Sequence, residues 1–286
     1  MHYILTLLLV YIIINPLNNS DYEYTSNRRG ETFGERSAIH LLSHVSSKKI
    51  FLNAYLLDLG CCGSGEVSKT IAEELVPFGS TIIAIDIDEA AVQKAQRKYP
   101  KTQHPNLKFI VGDANSIAFC NKFDILISIS LFHLVQDPEK VVASSFQALK
   151  QNGKAIIQVP VAFPDPLEKA TAQVINQDKW KQFFKGFSRK WNGVSEQTFA
   201  KIFESQGFKI IRQVRFVDRE EIESIDKFKY FLSNWYPYLN VIPDKDKQTF
   251  LDEIVYSYLQ FQPLLPNGYV PFNVERLEFE LEKPTT

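Results

Sequence analysis

The chain has 286 residues, enough for one elaborated domain or two small ones. A net charge of −1 with scattered Lys and Arg gives no footing for nucleic acid, and three cysteines, two of them adjacent, form neither a disulfide framework nor a metal-ligand spacing. A hydrophobic share of 45% against 23% charged residues is that of a folded globular protein, and the cysteine usage fits a reducing compartment, the cytoplasm.

Residues 3–14 are nearly all apolar. They fall short of the roughly 20 residues of a membrane-spanning helix. They have the length of a signal-peptide core, but no Lys or Arg precedes them, and Asn15-Pro16-Leu17 stands where a small-residue cleavage site would be. Three readings stay open: a weak signal or anchor touching the membrane, an apolar segment docked on the fold, or an upstream start codon. A polar stretch follows, and 38–45 reads as a short helix.

From Ala54 the pattern becomes regular. An apolar run ends at Asp58, a glycine-rich turn holds Gly60, Cys61, Cys62, Gly63 and Gly65, and a helical pattern runs from Glu66 to Val76 with Val67, Ile71 and Leu75 on one face. Such a strand, turn and helix opens a nucleotide-binding α/β domain, because the free N–H groups of the helix start point at whatever the turn holds. Strands are predicted at 80–85, ending at Asp86, at 107–111, closed by Gly112-Asp113-Ala114, at 123–129 and at 154–159. Between them Asp88 caps a helix to Lys98, and Asp137-Pro138 opens one to Leu149. Near-continuous apolar strands alternating with helices predict a parallel sheet covered on both faces.

Beyond Pro160 the character changes. Residues 164–187 read as an aromatic, Lys-bearing helical stretch. Ser195 caps a helix that Gly207 ends, and 208–217 and 274–281 read as strands, with helices at 222–235 and 245–261 between them. Helices inserted between the last two strands cannot lie in the sheet and are predicted to cap one end of it. The chain thus divides into an N-terminal segment (1–45), an α/β core (46–160) and a cap with the closing strands (161–286).

Asp58-Leu-Gly60…Gly65, then Asp86, Gly112-Asp113-Ala114, Phe123-Asp124…Ser128 and Leu149…Gly153 together resemble class I S-adenosylmethionine-dependent methyltransferases. The resemblance implies a Rossmann-like α/β fold of seven strands in the order 3-2-1-4-5-7-6, the last antiparallel, and S-adenosylmethionine as cofactor. It implies that Asp58, Gly60, Cys61, Gly63 and Gly65 form the loop against the methionine part. Asp86, followed by Ile87, meets the ribose; Asp113 and Ala114 meet the adenine; Ser128 lines the site. Helix capping or turn formation is the alternative for Asp86 and Asp113. The loop departs from the family's Asp-x-Gly-x-Gly-x-Gly by one extra residue at Cys61-Cys62, so the turn either bulges or takes Gly60 out of register.

Phe132-His133-Leu134-Val135, the run from Ser195 to Phe208 and Trp235-Tyr236-Pro237 look like the branch that methylates trans-aconitate, malonyl-acyl-carrier protein or juvenile hormone acid. The implied acceptor is a small or carrier-bound acid. Leu134 stands where that branch often has Trp, and Gly34 where it often has Gln. His133 reads either as a core residue or as the catalytic contact to substrate. Arg28, Arg29 and Arg189 are candidates to clamp an acid, and Trp180, Phe183, Phe184, Phe187, Trp191, Trp235 and Tyr236 to pack the cap and wall its pocket. A nicotinamide-dependent oxidoreductase and a fold-retaining protein without catalysis are the competing classes.

Overall fold

The computed structural model describes residues 33–43, 53–61, 65–75, 79–189, 191, 193 and 195–285. The apolar 3–14 segment, Arg28, Arg29, Cys62 and Gly63 lie outside the described residues, and so do the readings that rest on them.

Helix α1 (Phe33–Ser43) opens at Phe33 rather than Ala38. Its Ser37, Ala38 and Leu41 are buried, and Glu35 accepts a 2.7 Å bond from Thr70 Oγ1. There follow β1 (Tyr55–Leu59), α2 (Glu66–Thr70), β2 (Thr81–Asp86), α3 (Glu89–Lys98), β3 (Leu107–Val111), β4 (Phe123–Ile129), α4 (Pro138–Ala148), β5 (Leu149–Pro160), α5 (Asp165–Ile175), α6 (Glu196–Ser205), β6 (Lys209–Ile222), α7 (Ile225–Ser233), α8 (Asp244–Phe261) and β7 (Val270–Glu282). The helix predicted over 66–76 changes pitch: α2 gives way to a π turn at Ile71–Leu75. Of the aromatic stretch at 164–187, only α5 is α-helical, and Lys181–Phe184 form a 3₁₀ turn.

One seven-stranded sheet runs β3-β2-β1-β4-β5-β7-β6. All its pairings are parallel except those of β7, which is antiparallel to both β5 and β6. Alternation along each strand splits the apolar residues between two faces. Leu57, Leu59, Ile83, Ile85 and Leu126 pack with Val141 and Val142 of α4 and with Phe199 and Phe203 of α6. Leu56, Ile82, Ala84, Ile125 and Ile127 pack with Leu41, Ile71, Val92 and Ala95. Each fully buried Leu, Ile or Phe contributes about 1.5–3 kcal/mol of apolar transfer energy, which is why these short strands need little polar help.

The last two strands are longer than the sequence pattern predicts. β5 pairs with β7 only as far as Pro160 opposite Arg276, whereas β6 and β7 continue as a two-stranded arm to Ile222 opposite Val270. Asp218-Arg-Glu-Glu read as loop because charges are rare inside strands. Here the two buried carboxylates have partners: Asp218 accepts from Arg276 Nε at 2.9 Å, and Glu220 is gripped by the Arg36 guanidinium. Pro271 is tolerated because β7 has no β5 neighbour at that height. The arm overhangs the carboxyl ends of the parallel strands. On it Phe272 and Val274 join Phe163, Leu167, Trp180, Phe228, Tyr236, Phe250, Ile254 and Tyr258 in a third core, that of the cap, with α5 lying along α8.

Candidate functional site

In an open α/β sheet the crevice forms where strand order reverses, outside the carboxyl ends. Here that point lies between β1 and β4, and most of the predicted site residues converge on it. Gly60 ends β1 with φ +79°, a left-handed conformation, and its N–H and that of buried Cys61 both donate to Ile85 O, at 2.9 and 3.2 Å. The turn is thereby fastened to β2, and Asp86 follows directly. Gly65 has φ +74°, and a Cβ there would stand 2.6 Å from Phe109 Cζ and 3.0 Å from Ala95 Cβ. Only glycine lets the start of α2 come this close to β3 and α3.

Asp86 is half-buried, with Oδ1 accepting from Asp88 N at 3.0 Å, and its carbonyl accepts Gly112 N at 2.9 Å, which brings β3's Asp113 alongside. Asp113 caps the 3₁₀ turn Ala114–Ser116 and takes both Asn115 N and Asn115 Nδ2, at 2.9 and 2.8 Å. The capping alternative thus describes Asp113 as it stands. Asn115 Oδ1 is left buried without a partner among the described residues. Ile87 is 71% exposed, and Val111 at the end of β3 is also exposed. The rim of the crevice is therefore an exposed apolar surface beside a carboxylate and an unmatched acceptor.

Asp58 and Ser128 face inward. Asp58 is buried and accepts a 2.5 Å hydrogen bond from Ser68 Oγ. Burial pushes its carboxyl up to about 6, Ser68 pulls it back in part, and the neighbouring charge of Asp86 adds to the rise. Ser128 Oγ donates to Leu59 O at 3.0 Å and is fully buried. Both residues brace the strand ends on which the turn rests.

On the other side of the crevice, the chain leaving β4 makes a left-handed step at Ser130 (φ +58°), sparsely populated for a residue with a side chain. Ser130 Oγ accepts from Arg276 Nη1 at 3.1 Å. His133 is buried against Trp191, with ring centroids 4.3 Å apart. Burial, and then the charge of Arg276, lower its imidazole to about 3. The ring is therefore neutral at physiological pH, and its Nδ1 has no partner among the described residues. From Trp191 the aromatic chain passes to Phe163 at 5.4 Å and on to Trp235 at 5.9 Å. Arg189 lies over the Phe163 ring at 4.1 Å and is held by Glu168 and by Tyr238 OH. Trp180, by contrast, belongs to the cap core, where its Nε1 donates to Glu253 at 2.9 Å. Leu134 is half exposed.

The sequence reading missed Asn115, Ser130, Asp218 and Arg276. Asn115 lies within three residues of a predicted site turn, which was the available signal. The other three carried none: Asp218 and Arg276 meet only through the pairing of β6 with β7.

A family model described as a methyltransferase domain matches residues 52–207, more than half of the chain. The chain belongs to this methyltransferase family. Protein 235L of Invertebrate iridescent virus 6, named as a candidate methyltransferase, is 25% identical to it over 268 residues, covering 90% of this chain and 89% of that one. The trans-aconitate 2-methyltransferase of Deinococcus radiodurans is 30% identical over 107 residues, which are 37% of this methyltransferase and 38% of its relative. Among solved structures, a Haemonchus contortus phosphoethanolamine N-methyltransferase with S-adenosylmethionine bound superposes with TM-score 0.54 at 18% identity, over 87% of this chain and 52% of that one. The [4+2]-cyclase SpnF superposes with TM-score 0.57 at 15% identity, over 100% and 94%. These structural likenesses establish the fold, which also carries other chemistry.

The methyltransferase uses S-adenosylmethionine as cofactor. The crevice has the chemistry for it. Asp86 can accept from vicinal hydroxyls, exposed Ile87 can cover a ring face, and the unmatched Asn115 Oδ1 can accept from an exocyclic amine. Among the described residues no helix is long and apolar enough to cross a membrane, and no cluster of side chains could hold a metal ion.

Proposed function

We propose that this methyltransferase converts the carboxylate of a small or carrier-bound acid into its methyl ester. The observation that carries the reading is the state of His133. It is the histidine in the acceptor half of the crevice, and an imidazole held near 3 cannot take a proton from a hydroxyl or an ammonium at neutral pH. A carboxylate acceptor needs no base, because it is already ionised.

Bound S-adenosylmethionine supplies a methyl group made electrophilic by its sulfonium. The chain's own part is positioning and exclusion of water. In this reading Gly60, Cys61 and Gly65 bring main chain against the methionine portion. Asp86 holds the ribose hydroxyls beneath Ile87. Asp113 orients Asn115, and with Ala114 this turn meets the adenine edge. Asp58 and Ser128 hold the loop and the floor in place from behind. The cap closes over the acceptor, with His133, Trp191, Phe163 and Trp235 as its inner wall. Three cysteines, too few for a disulfide framework and two of them adjacent, suit the cytoplasm as its location.

A labelled-methyl transfer screen over free acids, acyl-carrier-protein thioesters, phenols and amines tests the reading. Label transferred to acids and released by mild base is the expected result. Transfer only to phenols or amines, with base-stable label, refutes it.

A further inference from the structure

Six buried side-chain polar atoms have no partner among the described residues: Asn115 Oδ1, His133 Nδ1, Gln158 Oε1, Trp191 Nε1, Asp218 Oδ1 and Trp235 Nε1. A buried unmatched donor or acceptor costs about 1–3 kcal/mol. Folded proteins keep few of them, so a cluster at one place asks for an explanation. Three of the six lie on the single aromatic chain His133–Trp191–Phe163–Trp235, which crosses from the loop after β4 to the cap. Elsewhere in the cap comparable groups are matched: Trp180 Nε1 finds Glu253, Tyr258 OH finds Pro271 O at 2.6 Å, and Tyr236 OH meets Thr171 Oγ1 at 2.5 Å. Among the described residues, the unmatched groups of the cap outside its strands therefore gather on this wall.

We propose that the indole N–H groups of Trp191 and Trp235, with His133 beside them, form the subsite that recognises the acid group of the acceptor. This rests on the carboxylate reading above and deepens it. Indole nitrogen is donor only, so what it lacks is an acceptor oxygen. Two such donors set in aromatic walls suit a carboxylate carrying an apolar remainder. Neutral His133 adds a third donor in its Nδ1–H tautomer. The charge of buried Arg276, held in place by Asp218 and Ser130, opposes a second positive charge on His133 and so keeps the imidazole neutral. None of these donors carries a full charge at the acid itself. The carboxylate is therefore held without being neutralised, and it keeps its nucleophilicity toward an electrophilic methyl.

The test uses the full chain saturated with S-adenosylhomocysteine and sodium octanoate as the probe, followed by tryptophan emission and titration calorimetry. Octanoate affinity is expected to fall tenfold or more in Trp191→Phe and in Trp235→Phe, each of which keeps an aromatic ring and removes the N–H. Trp180→Phe, whose indole is already bonded to Glu253, is expected to bind octanoate as the wild type does. Unchanged S-adenosylhomocysteine affinity in each variant certifies its fold. The KM of the acceptor found in the transfer screen is expected to rise in the same two variants by more than kcat falls. Equal octanoate affinity in wild type and both variants overturns the subsite, as does an absence of octanoate binding combined with an unchanged acceptor KM. A raised KM for an acceptor that proves to be an amine or phenol overturns the carboxylate reading instead, and with it the acid occupant of this subsite.

Discussion

Ser68 Oγ donates a 2.5 Å hydrogen bond to Asp58 Oδ2, and this bond ties the end of β1 to α2 beneath the glycine turn. It does not compensate for the burial of the carboxylate, whose folded value of about 6 lies above the 3.8 of an exposed aspartate. The folded state thus binds the extra proton between these values. The resulting stabilisation is fully present below 3.8 and is lost as pH rises through about 6.

Asp58→Asn should therefore stabilise the protein at pH 7–8 by on the order of 1–3 kcal/mol, because the amide keeps an acceptor for Ser68 and carries no charge to desolvate. The gain should vanish at about pH 4 and below. Urea titrations of both proteins across this range check it, and a gain that is constant with pH would refute it.

His133 works in the opposite direction. Its folded value of about 3 lies below the free value of 6.5, so the unfolded chain binds the extra proton between them. Stability from this group is present above 6.5 and is lost as pH falls toward 3, at about 1.4 kcal/mol per pH unit. His133→Gln should be less acid-sensitive than the wild type in that window, as read by melting temperature. With a carboxylate acceptor, wild-type kcat/KM should be level from about pH 6 to 9, since no enzyme group acting as base titrates there.

Gly65→Ala should be strongly destabilising. The left-handed backbone costs a residue with a Cβ about 1–2 kcal/mol, and displacing Phe109 from 2.6 Å costs about 1–3 kcal/mol more. A fall in melting temperature of roughly 5 °C or more is expected. Adding Phe109→Leu should recover the steric part only.

Asp86→Ala should weaken S-adenosylhomocysteine binding by about 1.5–3 kcal/mol for each ribose hydroxyl that no longer finds its carboxylate. Isothermal titration measures this directly. Equal affinity would remove Asp86 from the ribose site and leave it as a turn residue through Asp88 N.

Arg276 and Asp218 are both almost fully buried and 2.9 Å apart. Burial lowers the basicity of the Arg276 guanidinium, and Asp218 opposes the change. Arg276→Met leaves the carboxylate stranded and should cost about 3–5 kcal/mol, whereas the double variant with Asp218→Asn should cost clearly less. Chemical denaturation of the single and double variants gives the coupling between them.

By itself the sequence determined the α/β alternation, the strand order through the family resemblance, and the residues at the ends of β1, β2 and β3. These depend on local signals: apolar runs, a glycine turn, and aspartates at strand ends and helix starts, each readable within about ten residues. It also determined that helices between the last strands must leave the sheet. It did not determine how far β6 and β7 run, because the charges of Asp218 and Glu220 look like loop until Arg276 and Arg36 arrive from 58 and 184 residues away. Nor could it say that Asp58 and Ser128 turn inward while Asp86 faces the crevice, since the side of a strand end that meets solvent depends on which helix covers it. The sequence offered His133, Trp191 and Trp235 as candidates for the acceptor side, but not that they meet through Phe163. His133, Phe163, Trp191 and Trp235 are spread over four segments, and only tertiary packing brings their rings into one chain. Local chemistry writes the proposed cofactor side of this fold into contiguous motifs, whereas the proposed acceptor side is assembled from distant residues and exists only once the cap has packed.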